Sequence, residues 1–134
     1  MTVRYLKTLI MILVFTSAGC KKDELPRINP YDGNGTASTL PGIFTGYFYA
    51  SGNTVTYHGE VLSDGGLPVE ERGVCYNYSG NPSISFFRIK SGSGTGSYES
   101  IIPNLLSGYT FYLRGYAVNA RGVSYGEELS VSIN

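Results

Sequence analysis

Tryptophan is absent from this chain, histidine occurs once, and two cysteines are spread over 134 residues. One histidine and two cysteines give no ligand spacing of the kind that holds zinc or another metal, so no metal or other cofactor is expected. Charge is scarce as well: Lys and Arg number 10 against 10 for Asp and Glu, 15% of the chain together, below the usual quarter. With no basic run or face to neutralise phosphates, nucleic acid is not an expected partner. No apolar stretch repeats at the helical period, which leaves parallel strand crossovers without helices to use. What the chain does have is glycine, 18 residues, and tyrosine, 12, a composition suited to short strands with tight connections.

The first twenty residues read as an address. Arg4 and Lys7 precede the unbroken apolar run Leu9–Phe15, and the small residues of "TSAGC" follow. That is the three-part layout of a secretory signal. The run is far shorter than the roughly 18 residues that span a bilayer as a helix.

Ser17, Ala18 and Gly19 ahead of Cys20 resemble the lipobox of bacterial lipoproteins, with Ser17 where that motif usually has Leu. The resemblance implies cleavage before Cys20 and a diacylglyceryl group on its sulfur. The new amino terminus would usually be acylated too. Each buried methylene contributes about 0.8 kcal/mol to partitioning, so two or three chains anchor effectively permanently. Cys20 would then be lost to any disulfide. Lys21, rather than the Asp that tends to retain such proteins in the inner membrane, implies the outer membrane. The run Lys21–Glu24 resembles the short charged signal that carries some lipoproteins to the cell surface. Three regions result: a signal peptide over 1–19, a lipidated tether over 20–38 and one domain over 39–134. The tether "LPRINPYDGNGTAS" holds two prolines and little periodicity, and "DGNG" within it reads as a flexible turn, not a calcium loop.

Beyond the tether lie seven β-like pieces, beginning near Ile43, Asn53, Glu70, Ile84, Gly96, Tyr109 and Val123. The clearest is "NTVTYHGEVL", which alternates Val55, Tyr57, Gly59 and Val61 with Thr54, Thr56, His58 and Glu60. Seven strands in about a hundred residues predict an all-β, seven-stranded antiparallel sandwich. The pieces "SDGGLPVEERGVCYNYSGNP", "GSGTGSYES" and "LLSGYTFYLRGYAVNARGVSYGEELSVSI" resemble the fibronectin type III branch of the immunoglobulin-like sandwiches. In particular they resemble divergent modules of lipoprotein-rich Gram-negative surface proteins. Tyr76 stands where that family usually has Trp, and Phe111 where it has its corner tyrosine. Cys75 is expected to face away from Val74 and Tyr76 as a free, partly covered thiol.

No catalytic set is expected. His58 has only Glu60 as a neighbour on its face of the strand, and Glu70 with Glu71, like Glu127 with Glu128, are adjacent along strands and so point to opposite faces. The remaining candidate is aromatic surface. On the sixth strand Phe111, Leu113, Gly115 and Ala117 are expected to face the core. Tyr112, Arg114 and Tyr116 then form an outward row, a possible binding surface for sugar rings or proteins. The same row serves as ordinary cross-strand filler, which is the favoured reading there and for Tyr47 and Tyr49. The "FFR" at Phe86–Arg88 must expose one ring. The expected role is thus a non-catalytic binding or structural module, tied to the membrane through Cys20, with an envelope protein or polysaccharide as partner. A glycan-binding accessory protein of a surface uptake system and, less favoured, a hydrolase are the alternatives.

Overall fold

A computed structural model of the chain describes residues 38–134. The signal peptide, Cys20 and nearly all of the tether expected over 20–38 lie outside the described residues. Eight strands follow: β1 (Gly42–Ser51), β2 (Thr54–Ser63), β3 (Glu71–Asn77), β4 (Phe87–Lys90), β5 (Gly96–Ile102), β6 (Thr110–Asn119), β7 (Gly122–Tyr125) and β8 (Leu129–Ser132). They form two antiparallel sheets, β1-β2-β5 and β4-β3-β6-β7, with β8 also paired to β6. The described domain is an all-β sandwich without a helix.

The count is eight rather than the seven predicted because the last strand breaks at Gly126–Glu128. The Glu127 amide there donates to Thr45 Oγ1 (3.2 Å), and the Glu128 carboxylate accepts from the Asn81 amide. The two glutamates therefore leave the ladder to tie β1 and a distant loop, and are not neighbours along one strand as predicted. The fourth strand is also shorter than its sequence pattern, starting at Phe87 instead of Ile84.

Alternation sets the core. From β2, Val55, Tyr57 and Val61 point inward and are buried; from β6, Phe111, Leu113 and Ala117 meet them. Two tyrosines occupy the middle, Tyr57 and Tyr98, with ring centroids 6.4 Å apart. Both hydroxyls are placed: Tyr98 donates to the Gly73 carbonyl at 2.8 Å, and Tyr57 accepts from the Gly46 amide at 3.2 Å. Rings this large fit because each faces a glycine on a strand it packs against. A Cβ on Gly59 would lie 2.4 Å from the Tyr98 ring, and one on Gly115 would lie 2.5 Å from Tyr57 Oη.

The domain has two distinct poles. At one, Asn119 on β6 donates to the carbonyls of Thr39 (2.7 Å) and Asp64 (2.8 Å), and the Thr39 amide donates to Gly65 O (2.7 Å). The chain from the tether therefore joins the sandwich there. Asn53, bonded to the Leu105 carbonyl at 2.6 Å, closes the opposite pole.

Candidate functional site

The outward row predicted on β6 faces outward but is not an open surface. Tyr116 is 0% exposed, and its hydroxyl donates to the Glu71 carboxylate. Arg114 is engaged three ways: Nε donates to Gly126 O (3.1 Å), and Nη1 donates to Asn81 Oδ1 (3.1 Å) and Pro82 O (3.3 Å). Its guanidinium also lies 4.5 Å over the Tyr125 ring. Tyr112 is half-buried. The cause is the loop between β3 and β4, which turns back over this face. Within it Pro82 is fully buried, and the Ile84 amide donates to Tyr125 Oη at 3.1 Å. Arg114 and Tyr116 are thus tied into the fold beneath this loop, and Tyr112 stands half-buried beside them.

Cys75 lies beneath the same cover. It points away from Val74 and Tyr76 as predicted, but it is fully buried rather than partly covered. Its thiol donates to the Arg114 carbonyl, Sγ to O 3.4 Å. Burial pushes the thiol up to about 11, with nearby Arg114 opposing. Burial also raises the Tyr116 phenol, and the Glu71 bond and charge add to it.

The open aromatic surface is on the other sheet. The outer face of β1-β2-β5 carries two cross-strand rows, Phe44–Glu60–Ser97 and Tyr47–His58–Glu99. Phe44 is 50% exposed, Tyr47 54% and Tyr49 62%. Strict alternation would put Phe44 and Tyr47 on opposite faces. A register shift between them, at Thr45–Gly46, brings both outward. Gly46 inside an apolar strand was the sequence signal for that irregularity.

The rings are ordered among themselves. Tyr47 stacks on His58 with centroids 4.9 Å apart and planes at 17°, and Tyr49 stands edge-on to Tyr47 at 79° and to His58 at 77°. Stacked rings on neighbouring strands stand upright on a sheet instead of lying flat. His58 Nε2 lies 3.7 Å from Glu99 Oε2. Beside these rings a shallow hollow of about 400 Å³ is lined by Phe44, Tyr47, His58, Glu60, Ser97 and Glu99.

A second apolar group sits at the pole away from the tether. Tyr78, Phe87, Leu106 and Tyr109 are all more than half exposed there. Tyr78, Phe87 and Leu106 border a smaller hollow of about 180 Å³ that also touches Tyr76 and Phe111. Both Phe86 and Phe87 are exposed, where the pattern required only one ring to be. Among the described residues, no three His, Cys, Asp or Glu side chains gather as a metal-binding group.

The fold and this surface define a class: an antiparallel β-sandwich with one outer face covered by its own loop and the other, among the described residues, aromatic and open. No protein-family model matches the chain, and no curated protein matches it significantly. Among solved structures it is similar to one described as "Structure of Astrotactin-2, a conserved vertebrate-specific and perforin-like membrane protein involved in neuronal development". The identity is 15% over 82% of this chain and 25% of that one, with a TM-score of 0.50. It is also similar to one described as "Myokine structure", at 14% identity over 72% of this chain and 98% of that one, TM-score 0.47. The Astrotactin-2 likeness concerns the fold alone.

Proposed function

We propose that this chain is a cell-envelope lipoprotein, lipidated on Cys20 after signal cleavage and held in the outer membrane, whose sandwich is a non-catalytic protein-binding module. The single observation that carries the binding role is the open face of Phe44, Tyr47 and Tyr49, with His58 stacked among them, which no loop of the described residues covers. Exposed aromatic rings grouped in this way mark contact surfaces more than they mark filler. The sheet order supports the finer fold reading: β1, β2 and β5 stand where immunoglobulin-like sandwiches have A, B and E, and the other sheet stands for C, F and G. A fibronectin type III-like module fits that order and the sequence resemblance.

The glycan-binding alternative moves to the same face, because Tyr47 lines the same hollow as Glu60 and Glu99, whose carboxylates accept hydroxyl hydrogen bonds. The test is capture from detergent-solubilised membranes with the intact protein, with Tyr47→Ala/Tyr49→Ala and with Tyr78→Ala/Tyr109→Ala. The proposal requires a bound protein that the first variant loses and the second keeps. Equal capture by all three contradicts it. Incorporation of a labelled fatty acid, abolished by Cys20→Ser, tests the anchor.

A further inference from the structure

We infer that the open face docks a basic segment of a partner protein, with Lys or Arg side chains entering the hollow between Phe44, Tyr47, Glu60 and Glu99. This rests on reading that face as the contact surface, and it adds the partner's chemistry.

Charge carries the first part. Strands β1, β2 and β5 contain Glu60, Glu99 and His58, and neither Lys nor Arg. The basic residues described are Arg72, Arg88, Lys90, Arg114 and Arg121, all on the other sheet or its turns. Four of these are already engaged. Arg72 donates to the carbonyls of Ser91, Gly94 and Thr95, Arg88 and Lys90 pair with Glu71, and Arg114 holds the loop. Among the described residues the open face therefore presents two carboxylates and no Lys or Arg, and its electrostatic complement is positive.

Shape carries the second. Ser97 is small, so the hollow stays open beside Glu60 and Glu99, while the rings of Phe44 and Tyr47 bound its other side. A lysine or arginine is built for such a place: its methylene stem lies along rings while its charged head reaches the carboxylates. His58 holds the neighbouring walls in place, stacked on Tyr47 and 3.7 Å from Glu99. A neutral sugar prefers ring faces laid open as a platform, whereas Tyr47 and His58 cover each other and Tyr49 crosses both nearly at right angles.

The test uses the intact protein in micelles of uncharged detergent and a labelled decalysine peptide, followed by fluorescence anisotropy. Decaglutamate and a neutral maltooligosaccharide serve as comparison probes. Decalysine should bind, more weakly as salt rises. Glu60→Gln/Glu99→Gln should weaken it about tenfold. Glu70→Gln/Glu127→Gln, which removes the same charge elsewhere, should leave it unchanged. Absence of decalysine binding, or equal weakening by the two charge variants, overturns the inference. If the sugar binds instead and Tyr47→Ala/Tyr49→Ala abolishes that binding, the face stands as the contact surface and only the basic partner is lost. If membrane capture survives Tyr47→Ala/Tyr49→Ala, the reading of the face itself fails.

Discussion

The phenol of Tyr98, on β5, donates a 2.8 Å hydrogen bond to the carbonyl of Gly73, on β3 of the opposite sheet. This buried bond joins the two layers, and it explains how the Tyr98 hydroxyl is accommodated in the core. Tyr98→Phe keeps the ring and leaves that carbonyl without its phenol partner. Chemical denaturation should show a loss of about 1–2 kcal/mol.

Glycine is required where the rings cross. With a Cβ at Gly115 placed 2.5 Å from Tyr57 Oη, the Gly115→Ala variant must push the ring or its own strand aside. A cost of about 1–3 kcal/mol is expected from overpacking. Recovery of stability in Gly115→Ala/Tyr57→Phe, which frees the space of the hydroxyl, would confirm the clash as the cause.

Alkaline pH should weaken the fold. Burial raises the Cys75 thiol to about 11 and raises the phenols of Tyr98 and Tyr116 as well. The unfolded chain releases these protons first, so between the two ranges it binds fewer than the native state does. Stability from these groups is complete below about pH 8.5, where the unfolded thiol is still protonated, and falls as pH climbs toward 11. Urea midpoints measured from pH 7 to 10.5 should decline above that point, less steeply in Cys75→Ala. The same burial should keep Cys75 from reacting with iodoacetamide until the protein unfolds.

Arg114 pins the loop that closes the outer face of the larger sheet. Replacing it with Met removes its hydrogen bonds to Gly126, Asn81 and Pro82 and the contact with Tyr125. A destabilisation of about 2–3 kcal/mol is expected. Arg114→Lys should recover less than half, since an ammonium lacks the planar fork. Hydrogen exchange should rise first at Ile84, whose amide bonds to Tyr125.

How far the sequence could be read depended on whether a feature is local. The period of two along β2 and β6 assigned inward and outward faces correctly, because alternation is a property of the strand itself. It said that Tyr116 points out, but not that a loop from the residues near Pro82 would return to cover it. That depends on contacts between residues more than thirty positions apart, such as Arg114 with Asn81. The break between β7 and β8 has the same origin in the bonds of Glu127 and Glu128 to distant partners. On β1, Tyr47 and Tyr49 were visible as candidates, yet Phe44 joined their face only through the irregularity at Gly46.

The central claim is that the face of Tyr47 and Tyr49 is occupied by a partner in the envelope. Tyrosine iodination read by mass spectrometry, on isolated outer membranes and on the purified protein, tests it most directly. Reduced labelling of Tyr47 and Tyr49 in membranes, relative to the purified protein, is the result the account predicts. Equal labelling of both in the two settings would contradict it.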